Sequence, residues 1–219
     1  MSLPALNIIE SPSLFTGLNP EQQKAVETTE GPVLVLAGAG TGKTRVLTTR
    51  LSHILEEGKA RPHEVLAVTF TNKAAKEMKE RVALMVGGVI EGMWLGTFHA
   101  LCTRIIRAHA EKLGLNSNFT ILDSDDQVRL MKQIMEAERI EDKNWPAKNI
   151  MGQIQRWKDQ ALSPDQAMKM QGKGDRAWVA RLYQIYQERL HTLNAVDFGD
   201  LLLYPIHLFM NEPEVLESY

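Results

Sequence analysis

"PVLVLAGAGTGKTRVLTTRLSHILEEG", residues 32–58, decides the fold. Its opening, residues 32–38, is a short apolar run that ends in glycine-rich sequence, which predicts a buried β-strand. Further on, Leu47, Leu51, Ile54 and Leu55 share one helical face, and Gly58 stands where a helix C-terminus closes. Between them lie Ala37, Gly38, Ala39, Gly40, Thr41 and Gly42, followed by Lys43, Thr44 and Arg45. A glycine loop between strand and helix binds phosphate, because successive backbone N–H groups point inward and the helix N-terminus adds its dipole. In such a loop Lys43 reaches the β- and γ-phosphates of a nucleotide, and the Thr44 hydroxyl holds Mg²⁺. These two are the catalytic candidates. The strict pattern opens on glycine; Ala37 stands there instead and is small enough for a loop entry.

Two further strands follow, "EVLAVTF" (64–70) and "MWLGTF" (93–98). Helices are predicted over 72–88, with Asn72 or Thr71 as N-cap, and over about 100–113. Strand starts near 32, 64 and 93 are spaced like βαβ units, which implies an α/β fold with a parallel sheet covered by helices. After "FTILD" (119–123) the pattern turns almost wholly helical. "SDDQVRLMKQIMEAE" predicts a helix opened by a Ser124/Gln127 capping box, with Val128, Met131 and Met135 on one stripe. "SPDQ" (163–166) starts another helix with Pro164 at its first position. Long helices are expected over 175–193 and 197–209, the second ended or kinked at Pro205, with "QGKG" (171–174) a flexible connection. Two modules result: residues 1–115, and a helical module over 116–219 whose last residues return toward the first.

Composition fits this picture. The chain of 219 residues is 44% hydrophobic and 24% charged, as in globular proteins. No apolar run approaches the ~20 residues of a membrane span, and the opening "MSLPALNIIESPSLF" has no basic, long-apolar signal-peptide pattern. One cysteine, Cys102, excludes an internal disulfide and an all-cysteine metal site. A cytoplasmic protein without membrane contact is expected. The net charge of −2 is neutral on nucleic acid. Its distribution is uneven: residues 69–115 carry seven Lys/Arg against four Glu, and residues 194–219 carry five acids and no Lys or Arg. A basic stretch is an ordinary solvated face unless a motif adds to it.

Upstream of the loop, "LNPEQQKAV" (18–26) has Asn19 as a helix cap, Pro20 first and Gln22 third. Gln22 therefore has a structural task, closing a capping box. A glutamine carboxamide is also a bidentate partner for adenine N6 and N7, and the Arg45 guanidinium can stack on a base. Both roles stay open for Gln22.

"LNPEQQKAV", "AGAGTGKTR", "AVTFTNKAAKEMKERV" and "GTFHALCTRIIR" together resemble, in order and spacing, the opening motifs of superfamily 1 DNA helicases of the UvrD/Rep/PcrA type. The resemblance runs from about Leu18 to the end, and "FTILDSDDQ" and "NAVDFGDLLL" also fit. It implies a P-loop, RecA-like domain with a helical inserted subdomain. It also implies an ATP-dependent 3′–5′ helicase or translocase using ATP and Mg²⁺ on single-stranded and duplex DNA, with repair or replication proteins as possible partners. Gln22 resembles the adenine-reading glutamine and Arg45 the arginine packed on the base; residues 37–44 match the phosphate and Mg²⁺ positions. Thr69, Phe70, Thr71, Asn72 and Lys73 resemble a segment touching single-stranded DNA. Thr97, Phe98 and His99 resemble a second, and Asp197 with Phe198 a third. The motor part of a helicase–nuclease and a non-motor P-loop binding module are the alternatives.

These roles make physical sense. In a parallel α/β sheet ligands sit beyond the carboxyl ends of the strands, where both Thr69–Phe70 and Thr97–Phe98 fall. Aromatics there stack on bases, and Thr or Asn bonds phosphate without reading sequence. Each residue also has a plainer role: Phe70 and Phe98 as core beneath the rim, His99 as a satisfied helix-start residue, Lys73 as a solvated charge. Trp94, Trp157, Trp178 and Cys102 read as packing residues. A P-loop motor also needs an acidic pair at a strand end and an arginine finger. "FTILDSDD" offers Asp123, but the glutamate expected next is Ser124, a better N-cap. The family's acidic motif would follow the last helix of this chain. The chain by itself is therefore expected to bind nucleotide weakly and not to hydrolyse it.

Overall fold

The structure, a computed structural model, describes residues 14–87, 90, 92–140, 145–171 and 177–219. The expected flexible connection after Gln171, the first residues of the helix expected from 175 and most of the N-terminal segment lie outside the described residues. Among the described residues the chain is α/β, mostly helical, with two small parallel sheets. It divides into two compact units, Met1–Thr97 and Phe98–Tyr219.

In the first unit α1 (Pro20–Glu27) packs on α2 (Lys43–Glu56), and α2 packs on α3 (Asn72–Met85). Strands β1 (Leu66–Thr69) and β2 (Trp94–Thr97) pair in parallel with Thr69 opposite Thr97. Asn19 and Gln22 form the expected capping box on α1, and Thr71 caps α3 by accepting from Ala74 N–H at 3.1 Å. Gly58, at φ +65°, closes α2 as expected; its N–H donates to Leu55 O, and the next N–H, of Lys59, to Ile54 O. Leu51, Ala67, Met78, Val82 and Met93 meet in one apolar cluster.

The strand expected over 32–38 does not form. Its residues pair with neither β1 nor β2, and Leu34 and Leu36 are 84% and 86% exposed. The run has the composition of a buried parallel strand, but such a strand needs a ladder and two covered faces. Neither is supplied by the described residues.

The second unit begins with α4 (Phe98–Ala108), two residues earlier than expected. A 3-10 turn, Ala110–Leu113, finishes the segment predicted as one helix. Then follow β3 (Thr120–Leu122), α5 (Ser124–Ala137), α6 (Ala147–Asp159), α7 (Pro164–Gln171), α8 (Ala177–Thr192), β4 (Ala195–Asp197), α9 (Phe198–Asn211) and α10 (Pro213–Glu217). The apolar run before Asp123 forms β3 as a strand; its parallel partner β4 was not expected, because three residues are too short to reveal a period. The α5 cap is Asp123, not Ser124: its carboxylate accepts from the N–H of Asp125 and of Asp126, both at 2.9 Å. Gln127, the expected partner of Ser124, is buried and donates to Leu122 O. Helix α9 continues through Pro205 to Asn211 rather than ending there.

Trp157, Tyr183 and Tyr186 are buried at the centre of the larger apolar cluster. Trp157 stacks on Tyr183 with centroids 6.0 Å apart, a contact worth about 1 kcal/mol beyond the area it buries. Helix α4 packs on α9, which groups residues 98–108 with the later helices. No helix among the described residues is long and apolar enough to cross a membrane.

Candidate functional site

The glycine loop is built at the N-terminus of α2. Gly42 occupies the N-cap at φ +84°, a left-handed conformation that glycine adopts without strain. With no side-chain cap there, the first N–H groups of α2 remain for an external acceptor. Gly40 also has positive φ, and a Cβ placed on it would meet nothing within 4 Å. The Lys43 ammonium folds back over the loop, donating to Gly38 O at 2.6 Å and Ala37 O at 3.0 Å. The Thr41 hydroxyl donates to the same Gly38 carbonyl at 2.8 Å. Thr44 is exposed on the first turn of α2.

Of the two base-reading candidates, Gln22 reaches this loop and Arg45 turns toward the segment before α1. The Gln22 carboxamide donates to Thr41 O at 2.9 Å while its oxygen accepts from Asn19 N–H at 2.9 Å. A Cβ on Gly42 would sit 3.3 Å from Gln22 Nε2 and 4.0 Å from Arg45 Cβ. The Arg45 guanidinium donates to Thr16 O at 2.5 Å, across a turn that carries Gly17. A Cβ on Gly17 would lie 2.8 Å from the guanidinium, so glycine is what lets the arginine seat there. Sequence reasoning missed Thr16 and Gly17; the positive-φ glycine just ahead of the Asn19 cap is the available signal.

At the carboxyl ends of β1 and β2 the side chains are wired together. Thr69 donates to Thr71 O at 3.1 Å, and Thr97 donates to the Asn72 carboxamide oxygen at 3.4 Å. Phe70 is 100% exposed, so it is not a core residue. Lys73 is exposed on the first turn of α3.

In the second unit Phe98 and His99 open α4, and Phe198 opens α9. Two sequence motifs about a hundred residues apart meet here: the His99 and Phe198 rings stand edge-to-face with centroids 5.9 Å apart. Phe98 is 60% exposed and Phe198 45%. Asp197 differs from expectation. It is fully buried, and its carboxylate is committed to Asp200 N–H, Lys158, Gln155 and Tyr186. As N-cap of α9 it presents Phe198, the exposed residue of this segment.

That cluster was not anticipated. Lys158 donates to Asp197 at 2.8 Å and Asp200 at 2.6 Å, with all three side chains fully buried. Burial, reinforced by the Asp197 charge and opposed by Lys158, pushes the Asp200 carboxyl up to about 6. Burial also raises the phenols of Tyr186, Tyr183 and Tyr204. The sequence signal is Lys158 itself: Ile150, Met151, Ile154, Trp157 and Lys158 form the buried stripe of α6, and a lysine in such a stripe needs a partner. Trp157 packs as expected, and Trp178 meets Trp145 edge-to-face. Cys102 is half-buried, and burial raises its thiol.

The family model described as the UvrD/REP helicase N-terminal domain matches residues 18–219. The chain belongs to this family. It is 45% identical over 207 residues to the ATP-dependent DNA helicase PcrA of Staphylococcus aureus (strain Mu50 / ATCC 700699), covering 94% of this chain and 28% of that protein. PcrA of Staphylococcus epidermidis (strain ATCC 12228 / FDA PCI 1200) is 44% identical over the same length and coverage. The chain thus spans about 28% of the length of the curated relatives it matches. In this UvrD/REP domain the glycine loop, the ends of β1 and β2 and the His99–Phe198 pair all fall within the matched residues.

Proposed function

We propose that this chain is the ATP-binding and DNA-engaging portion of an ATP-dependent 3′–5′ DNA helicase, which couples ATP hydrolysis to movement along single-stranded DNA. Residues 1–115 are assigned to the N-terminal part of a RecA-like ATP-binding domain and 116–219 to a helical insertion, with α4 of the first span packed on α9 of the second. The observation that carries this reading is the glycine loop at the uncapped N-terminus of α2, with Lys43 folded over it and Gln22 bonded to its Thr41 carbonyl. That its relatives are ATP-dependent DNA helicases supports it.

The uncapped N-terminus of α2 and the open space around Gly40 fit a polyphosphate. Residues 37–44 hold it through backbone N–H groups, and Lys43 turns from the Ala37 and Gly38 carbonyls to the phosphate charge. Thr44 holds the accompanying Mg²⁺, which when bound neutralises phosphate charge. Gln22 and Arg45 read and cover the adenine. Asp123, the acid at the end of β3, is engaged as a helix cap, and in this proposal the acids and arginine finger for hydrolysis are not among these site residues.

On the DNA side Phe70 stacks on a base, and Thr69, Thr71, Asn72, Lys73 and Thr97 contact phosphates. Phe98, His99 and Phe198 form a second aromatic contact. A cytoplasmic location and service in DNA repair or replication accord with this function. Full-length protein carrying Lys43→Ala is expected to lose DNA-stimulated ATP hydrolysis while still binding single-stranded DNA. Wild-type hydrolysis by that variant would sink the proposal.

A further inference from the structure

Lys158 is a buried charge in a place that stability does not explain. Two carboxylates face one ammonium, all fully buried, so the cluster keeps an excess negative charge away from water. Burying such groups costs desolvation that their mutual attraction rarely exceeds, and apolar replacements of similar volume often fold as stably. What the cluster does supply is geometry, and all of it converges on the first turn of α9.

Asp197 is the N-cap of that turn, Phe198 its first residue, Gly199 its second and Asp200 its third. Asp197 and Asp200 close a capping box on each other's backbone N–H at 2.9 and 3.1 Å. Helix α6 holds both acids through Lys158 and adds Gln155, 3.2 Å from Asp197. Helix α8 adds Tyr186, donating to Asp197 at 3.0 Å, and Gln187, donating to Asp200 at 2.9 Å. Gly199 lets α6 come this close: a Cβ there would lie 2.5 Å from Gln155 Oε1 and 2.8 Å from Lys158 Cδ. The one residue of this turn that faces outward is Phe198, whose ring stands against His99.

We propose that Lys158 is a positioning residue for DNA binding: by gripping both capping carboxylates of α9, with Gly199 giving it access, it sets where Phe198 stands against His99. This rests on the DNA contact proposed for Phe198. Lys158 touches no nucleic acid itself. It acts through Asp197 and Asp200, and its absence frees the first turn of α9 to rotate the ring away.

The test uses full-length protein with Lys158→Met, Gly199→Ala and Phe198→Ala. Gly199→Ala retains every charge, so it carries the test should Lys158→Met fail to fold. Two readouts are needed: the ring-current shift of the His99 Cε1 proton by NMR, and fluorescence anisotropy of labelled oligo-dT beside the KM for ATP. Lys158→Met and Gly199→Ala should each abolish the shift and weaken oligo-dT binding about tenfold, the scale of one lost stacked base, with KM for ATP unchanged. Adding Phe198→Ala to Gly199→Ala should weaken binding no further. A folded Gly199→Ala protein with the wild-type shift and affinity overturns the positioning role. So does a parallel loss of ATP affinity, which marks general damage. Wild-type DNA affinity in Phe198→Ala overturns the DNA contact instead, and the His99 shift then still reports whether Lys158 sets the ring.

Discussion

The Gln22 carboxamide donates to the Thr41 carbonyl at 2.9 Å while its oxygen accepts from the Asn19 N–H, so one side chain closes a helix cap and holds the glycine loop. The two tasks use different atoms and can be separated. Gln22→Glu retains the oxygen that caps α1 and loses the donor that faces Thr41 and, in the proposed complex, adenine N7. Thermal stability should change by less than about 0.5 kcal/mol, because the capping box survives. Preference for ATP over GTP in competition binding should fall. An unchanged preference would leave Gln22 with its structural task alone.

Phe70 and Asp197 stand at opposite extremes of exposure, and their substitutions should separate binding from folding. Phe70 is fully exposed, so Phe70→Ala should leave stability within about 0.5 kcal/mol and weaken oligo-dT binding in anisotropy. Asp197 is fully buried, and Asp197→Ala removes a helix cap and one partner of a buried lysine. It should cost about 3–5 kcal/mol in denaturant unfolding. A cost near zero would mean the cluster does not anchor α9.

The same cluster predicts an unusual pH dependence. Asp200 has a folded value of about 6 against 3.8 for the free group, so the native state holds its proton more tightly than the unfolded chain. This carboxylate therefore destabilises the fold above pH 6; the penalty shrinks as pH falls through 6 and is gone below the unfolded value. Asp200→Asn removes the titration. Between pH 7.5 and 5.5 the Tm of the wild type should rise relative to that of Asp200→Asn. Parallel Tm curves over this range would contradict the raised value.

How far the sequence reaches can be judged from these residues. Asn19, Gln22, Thr71 and Gly58 act locally, through caps and a left-handed turn, and their roles are legible because the signals span only a few positions. The run at 32–38 misled for the opposite reason: its composition reports a strand's needs, while the strand itself depends on partners elsewhere in the chain. Asp197 misled because a motif aspartate beside an exposed aromatic reads as a contact, whereas its partners Lys158 and Tyr186 come from two other helices. Only the packing of α6, α8 and α9 brings them together.

Lys112 ties the 3-10 turn after α4 to the end of the chain, donating to Glu212 and, at 2.9 Å, to Glu214. The ammonium holds Glu214 well below the carboxylate range, at about 2, and the two glutamates raise Lys112. A depressed acid stabilises above its unfolded value, so this clasp is fully formed at neutral pH and lost only as pH falls toward 2. The groups are open to water, so salt should act where mild acid does not. Lys112→Ala should speed amide exchange across residues 213–217 at pH 7, and raising NaCl to about 1 M should bring the wild type toward the variant. Salt-independent exchange in the wild type would show that α10 is held by Val215, buried beneath it, rather than by the charges.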